Sequence, residues 1–202
     1  MARPRESSDA DILSAARTCF LQEGPSLATG VIAKKLGISQ ATLFNRFGSK
    51  EALLIAALGP PKEIPWLKVL DGGPGDAPIE EQLAKIAHVI LDFFERLMPG
   101  MSLLRAAGIS PPQIFAHHDK PPPVRGHQAL TRWLQEAQER GLIRACNVEI
   151  AAQTFLGALQ SRVFISQLCG QPLVDMPQEQ FVDELVQVVL YGIVSRGKGP
   201  AR

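Results

Sequence analysis

A glycine at position 37 separates two short apolar patterns, and it constrains the fold of this chain more than any other residue. Before it, Ile32 and Leu36 stand four residues apart and share one face of a short helix. Glycine takes the left-handed conformation at little steric cost, so Gly37 predicts the end of that helix. Ser39 is a typical N-terminal cap for the next one. The segment therefore predicts two short helices joined by a sharp turn.

The second of these helices is expected to carry a polar outer face. Leu43 and Phe47 stand one turn apart and are the residues predicted to be buried. Amides pair with adenine edges, guanidinium groups with guanine or phosphate, and small methyl groups with the methyl of thymine. This favours a helix that reads the DNA major groove, while a buried helical hairpin with a solvated polar side has the same spacing. The remaining surface carries Gln40, Ala41, Thr42, Phe44, Asn45 and Arg46.

Positive charge is concentrated around this helical pair. The whole chain has 202 residues and a formal net charge of +1. Residues 1–50 hold seven Lys or Arg against four Asp or Glu, whereas residues 51–202 hold fourteen against sixteen. A positive surplus beside the predicted reading helix suits a polyanionic partner. Ser49 should cap a third helix whose first turn contains Lys50, and Arg3 and Arg5 form a short basic arm near the N-terminus.

One stretch of sequence carries a family resemblance. With Ile12, Ala16, Phe20 and Gly24 upstream, the run IAKKLGISQATLFNRFGSKEALL closely resembles the N-terminal domain of the tetracycline-repressor (TetR) family of bacterial transcription regulators. The likeness covers residues 9–58. It implies a homodimer that acts as a ligand-responsive regulator, a repressor released from a near-palindromic DNA operator.

The resemblance also implies roles for single residues. Two positions depart from the family pattern: Phe44 replaces a tyrosine whose hydroxyl binds phosphate, and Ala28 replaces a capping serine or threonine, for which Thr29 is expected to substitute. Base contacts are expected from Gln40, Ala41, Thr42 and Asn45. Phosphate contacts are expected from Thr29, Phe44, Arg46 and Lys50.

The rest of the chain predicts a second helical domain. Glycine and proline clusters between residues 59 and 77 break the helical period and predict an interdomain joint, in which Trp66 forms a separate turn. A helix is expected from Pro78 to about Pro99-Gly100, then a brief helix, a proline-rich loop at 110–123 and three more helices. No segment alternates with the period of a strand, so the fold class is all-α. It comprises a three-helix helix-turn-helix domain (1–58) and a C-terminal helical ligand-binding and dimerisation domain (78–202).

The last helix is apolar on more than one face, because Val182, Val186, Leu190 and Val194 accompany its main stripe. A second copy of the chain would cover the excess, although burial inside a monomer has the same pattern. The family dimerises through a bundle of its last two helices. The interface candidates are Gly157, Ala158, Phe181, Leu185, Val189 and Ile193.

A small-molecule effector is a further implication of the resemblance. The low polar content of the later helices favours an apolar or amphipathic compound. Aromatic residues at helical spacing are also typical of ordinary core packing. The candidate pocket residues are His88, Phe93, Phe94, Trp133 and Phe155.

Several other classes of chemistry find little support. Cys19, Cys146 and Cys169 are odd in number and widely separated, so buried free thiols are expected. No catalytic, phosphate-loop or dinucleotide motif occurs, so neither an enzyme nor a cofactor is expected. No apolar run reaches membrane-spanning length, and no signal peptide is visible, which predicts a cytoplasmic protein without a membrane partner. Two alternatives stay open: an effector-independent architectural DNA-binding protein, and a small metal-dependent enzyme using His117 and His118.

Overall fold

A computed structural model describes residues 8–193 of the chain. In this part it has nine α-helices, one 3-10 turn and no strand, which confirms the all-α fold class. Predictions about the basic arm at Arg3 and Arg5, and about Val194 and the residues after it, lie outside the described residues. The elements are α1 Asp9–Glu23, α2 Thr29–Leu36, α3 Gln40–Phe47, α4 Lys50–Leu58, the 3-10 turn Pro65–Val69, α5 Ile79–Ala106, α6 Pro111–Phe115, α7 Pro122–Glu139, α8 Val148–Cys169 and α9 Gln178–Tyr191.

The described residues form two compact units. The first contains residues 8–64 and 95–122, and the second contains residues 65–94 and 123–193. This division differs from the predicted domain boundaries at residues 58 and 78. The difference arises because the later part of α5 and all of α6 pack with the N-terminal helices.

The first unit buries an apolar core under its short helices. Serine caps fix where three of these helices begin. Ser8 forms a capping box with Asp11, and the hydroxyls of Ser39 and Ser49, the two caps predicted from the sequence, each accept a backbone N–H of the first turn. The caps satisfy amide groups that have no partner inside the helix, so each helix starts at a defined residue. The core is formed by Ile12, Ala16, Phe20, Ile32, Leu43, Leu53, Leu58, Leu104, Ile109 and Ile114, among others.

The predicted end of a helix at Pro99-Gly100 is wrong, because α5 continues through both residues to Ala106. Proline lacks the N–H that would bond the carbonyl four residues earlier, so the helix is locally weakened there. Arg17 of α1 donates to the carbonyl of Arg96 in the turn before Pro99 and, at 3.2 Å, to that of Ala57, which holds this part of α5 to α1 and to the end of α4. Burial of this guanidinium lowers the pKa of Arg17. Gly100 itself lies against the backbone of Leu58, where a Cβ would clash.

The proline-rich segment at 110–123 also differs from the predicted loop. It contains the short helix α6, and α7 already begins at Pro122. Proline is accepted in the first turn of a helix, where its missing N–H is not needed. Gln113 Oε1 accepts the N–H of Ser110 at 2.8 Å, which fixes the start of α6.

The second unit is assembled from α5, α7, α8 and α9. The predicted separate turn at Trp66 is present, and its indole packs on Gly126 of α7, where a Cβ would lie 2.8 Å from a ring carbon. Asn147 caps α8 by accepting the N–H of Ile150 at 3.1 Å, and Gly170 ends it with a φ of 72°. A side-chain cap and a left-handed glycine therefore define the two ends of α8. The buried core of the unit includes Leu83, Ile86, Ile90, Leu91, Leu130, Trp133, Phe155, Leu159, Val182 and Val186.

We expect the substitution Gly100→Ala to destabilise the first unit. The added methyl group would meet the Leu58 carbonyl, and a shift of α5 against α4 should cost about 1–3 kcal/mol in the free energy of unfolding. Chemical denaturation followed by circular dichroism measures this loss. Gly72→Ala is the matched control, because a Cβ at Gly72 has no atom within 4 Å. Equal stability of both variants would contradict the close approach at Gly100.

Candidate nucleic-acid interface

The turn between α2 and α3 has the geometry that Gly37 predicted. Gly37 has φ and ψ angles of 67° and 24°, in the left-handed region, and its N–H donates to the carbonyl of Lys34 at 3.2 Å. The N–H of Ile38 donates to the carbonyl of Ala33 at 3.0 Å. These two bonds end α2 at Leu36. After three intervening residues α3 begins at Gln40, with a sharp change in the direction of the chain.

Helix α3 presents most of its side chains outward. Among its residues only Leu43 is buried, at 1% exposure, and Phe47 is half-buried. We call the outward side chains of α3, residues 40–42 and 44–46, the α3 surface. Because Leu43 and Phe47 make the apolar contacts of α3 with the core, the α3 surface is directed away from it.

Three of the four predicted base-reading residues are exposed: Gln40, Ala41 and Asn45. Thr42 is half-buried, and its hydroxyl lies 2.8 Å from Oγ of Ser39. Gln40 is also engaged, since its Nε2 donates to Oγ1 of Thr29 at 2.8 Å. The structure thus brings the four residues onto one surface while giving two of them intramolecular partners.

Three of the four residues predicted to bind phosphate are exposed or half-buried: Phe44, Arg46 and Lys50. Phe44 is 38% exposed, and Lys50 donates from Nζ to the carbonyl of Ser26 at 2.9 Å. Arg46 is half-buried, with Nη1 3.3 Å from Oδ1 of Asp9. All three lie at the edge of the α3 surface or one turn beyond it.

Thr29 does not have the exposure that a phosphate contact requires. It is 4% exposed, and its hydroxyl accepts a hydrogen bond from Gln40. The expectation that Thr29 substitutes for a capping residue at Ala28 therefore fails, and α2 begins without a side-chain cap. Sequence spacing could not show this contact, because the two residues lie in different helices and eleven positions apart.

The predicted effector residues lie in the core of the second unit. Phe93, Trp133 and Phe155 are buried, His88 and Phe94 are half-buried, and the rings of Phe93 and Phe94 have centroids 5.7 Å apart. A cleft of about 280 Å³ in the same unit is lined by other residues, and none of the five candidates reaches it. Its walls include Leu83, Leu134, Ile143, Arg144, Ile150 and Leu190.

The dimer candidates lie at the outer sides of α8 and α9. Gly157, Ala158, Phe181, Leu185 and Val189 are half-buried, and Ile193 is 87% exposed. A Cβ at Gly157 would meet no atom within 4 Å. Val182 and Val186, two of the apolar residues outside the main stripe of α9, are buried within the unit. Several large apolar residues of α8 and α9 stay exposed: Phe164, Leu168 and Val188.

The cysteines and the histidines that follow α6 lie in different environments. Cys19 is buried as predicted, but Cys146 and Cys169 are exposed, because they lie in the α7–α8 connection and at the last residue of α8. His117 and His118 follow α6, and the ring of His118 packs edge-on against Phe115 with centroids 6.5 Å apart. Within residues 8–193 no group of three or more metal-ligating side chains is found. Over the same residues, no helix combines the length and the apolar character needed to cross a bilayer.

The four short helices α1–α4, the left-handed turn and the outward α3 surface define a helix-turn-helix DNA-binding head. Residues 12–57 match the family model described as bacterial regulatory proteins of the tetR family. Residues 81–192 match the C-terminal domain of AefR-like transcriptional repressors. The chain therefore belongs to the TetR family of transcriptional regulators.

Known relatives agree with this assignment. An HTH-type transcriptional regulator of Bacillus subtilis strain 168, YvkB, is 25% identical over 186 residues, which cover 90% of this chain and 95% of the relative. A TetR-family regulator from Mesorhizobium loti superposes with a TM-score of 0.72 at 20% identity, covering 90% of this chain and 94% of its own. The regulator FadR from Bacillus subtilis, solved in complex with stearoyl-CoA, superposes with a TM-score of 0.64 at 16% identity, covering 93% of this chain and 100% of its own.

Proposed function

We propose that this regulator is a homodimeric repressor whose α3 surface reads a near-palindromic operator. The observation that carries the proposal is the outward orientation of α3, in which Leu43 is the one fully buried residue and Phe47 packs beside it on the core. Asn45 supports base reading most directly. It is exposed, and no hydrogen bond within residues 8–193 occupies its amide. An amide with both polar atoms available can pair with N6 and N7 of adenine.

Phosphate binding is assigned to Phe44, Arg46 and Lys50. A lysine ammonium carries three N–H donors, and the bond to Ser26 uses one of them. That bond holds the ammonium group at the start of α4, with two donors left for a phosphate oxygen. Phe44 offers an exposed ring in place of a hydroxyl donor, so its contact with the sugar-phosphate backbone is apolar.

Dimerisation is assigned to α8 and α9. Residues 150, 154, 157, 161, 164 and 168 recur at three-and-four spacing and share one face of α8. Along this face Phe164 is 39% exposed and Leu168 is 70% exposed, and on α9 Val188 is 46% exposed. A second copy would cover these apolar groups and pair two reading heads, as a palindromic operator requires.

Effector binding is assigned to the second unit. The cleft there is largely apolar and has one cation, Arg144, which suits an amphipathic anion. FadR, which shares the fold, holds stearoyl-CoA. A ligand that favours one spacing of the two reading heads shifts the population away from the spacing that fits adjacent major grooves. The match of residues 81–192 to the C-terminal domain of AefR-like repressors supports repression as the mode of regulation.

Selection of bound sequences from random DNA, at fixed salt, tests operator reading. The wild type should return two inverted half-sites whose centres are about 10 base pairs, or a multiple of that, apart. Asn45→Ala should relax the preference at its base by about 1–3 kcal/mol. Lys50→Gln keeps a donor for Ser26 but removes the charge, so it should weaken all sequences alike and flatten the salt dependence.

Equal effects of the two substitutions on base preference would contradict the assigned roles. Binding of random DNA as tightly as any selected site would instead identify an architectural protein, which was the main alternative from the sequence.

Analytical ultracentrifugation tests the dimer with the variant Gly157→Leu. The new side chain has open space within one protomer, so folding should be preserved while the approach of the second α8 is blocked. We expect a folded monomer that has lost most operator affinity. Gln167→Leu is the control and should remain dimeric, because Gln167 is exposed on α8 but does not belong to the face formed by residues 150, 154, 157, 161, 164 and 168. A dimeric Gly157→Leu variant would place the interface elsewhere.

Release from the operator tests the effector site, with stearoyl-CoA, decanoate and its uncharged analogue decanol as probes. Arg144→Glu should weaken the response to decanoate about two- to five-fold, the range for an exposed ion pair, and leave decanol unchanged. Arg132→Glu, on the exposed side of α7, is the charge-matched control. The proposed release of the repressor by an effector is wrong if compounds shown to bind the second unit leave operator affinity unaltered.

A further inference from the structure

The side chain of Gln40, at the start of α3, is tied to α2. Its Nε2 donates to Oγ1 of Thr29 at 2.8 Å. Thr29 is the one buried polar residue among those that the structure describes, at 4% exposure. A buried hydroxyl requires a partner, and Gln40 supplies it. We call this pair the Thr29–Gln40 lock.

Local sequence explains why the lock can form. Ala28 has no side-chain oxygen to cap α2, and the hydroxyl of Thr29 turns toward α3. Gly30 follows, and a Cβ there would lie 3.5 Å from Oε1 of Gln40. The missing side chain at Gly30 therefore leaves the amide oxygen uncovered. Within residues 8–193 no hydrogen bond reaches this oxygen, and Gln40 is exposed.

A glutamine that turns freely can present either order of donor and acceptor to a base pair. Bidentate pairing with adenine uses Oε1 to accept from N6 and Nε2 to donate to N7. In the lock, one of the two N–H groups of Nε2 is donated to Thr29, whereas Oε1 has no partner within residues 8–193. The restrained amide thus presents Oε1 as an unpaired acceptor, which suits bases that offer an amino group in the major groove, adenine through N6 and cytosine through N4.

We propose that Thr29 is a positioning residue that sets the base preference of Gln40, making it a reader of amino-bearing bases. The inference rests on the proposed function, in which the α3 surface reads DNA. It distinguishes the two amides of that surface: Gln40 is restrained and accepts, whereas Asn45 is unrestrained and can both accept and donate.

The test repeats the selection from random DNA with Thr29→Val and Thr29→Ser. Valine has nearly the shape of threonine without the hydroxyl, and serine restores the hydroxyl. We expect the wild type and Thr29→Ser to prefer adenine or cytosine at the base facing residue 40. Thr29→Val should reduce that preference about three- to ten-fold, the value of one hydrogen bond, while the base facing Asn45 stays unchanged.

Gln40→Glu gives a second readout that does not depend on the fold of a core variant. A carboxylate only accepts, so this variant should keep the preference for amino-bearing bases if Gln40 acts through Oε1. If Gln40 instead donates to the base, Gln40→Glu should abolish or reverse the preference. Affinities are compared between sequences for one variant, so the added negative charge cancels.

The outcomes separate this inference from the proposed function. An unchanged preference in Thr29→Val, or its loss in Gln40→Glu, overturns the role of the lock while selective DNA binding stands. A wild type without any preferred sequence refutes operator reading itself. Retention by Thr29→Ser and Gln40→Glu, together with loss in Thr29→Val, establishes the lock.

Discussion

The DNA-reading head depends on the burial of Leu43 beneath α3. This helix has eight residues and one fully buried side chain, so its orientation is set by that contact together with its two ends. Gly37 in the left-handed conformation allows the chain to reach Ser39, whose hydroxyl accepts the N–H of Thr42 at 3.0 Å. Loss of either the turn or the anchor would therefore disturb the orientation of the α3 surface as a whole.

Features controlled by neighbouring residues could be predicted from the sequence. The caps at Ser8, Ser39, Ser49 and Asn147 are local, because each side chain bonds a backbone amide three residues later. The continuation of α5 through Pro99 could not be predicted, because the groups that pack around this turn are distant in sequence. Arg17 reaches the carbonyl of Arg96 from 79 positions away, and the close passage of Gly100 over Leu58 arises only in the folded unit.

The same distinction holds within the candidate site. Helical period was sufficient to place Gln40, Ala41 and Asn45 on an exposed surface. It failed for Thr29, because the burial of that hydroxyl is determined by a side chain of another helix. In the second unit, aromatic residues at helical spacing proved to be largely buried core, whereas the cleft is lined by aliphatic residues near the α7–α8 connection. Sequence patterns identify the apolar faces of helices. A cavity forms where two packed faces leave a gap between them, and a pattern within one helix does not show this.

The course of the chain bears on how an effector could act. The chain passes between the two compact units after Ile64, after Phe94 and after Pro122, and the second passage lies inside α5. A helix transmits displacement better than a glycine- and proline-rich segment such as residues 59–77, since its backbone hydrogen bonds resist bending. The bonds from Arg17 to Ala57 and Arg96 join α1, the end of α4 and α5 within the first unit. Within the first unit the later part of α5 is therefore held directly to α1 and to the end of α4, and α4, which ends at Leu58, packs against α3.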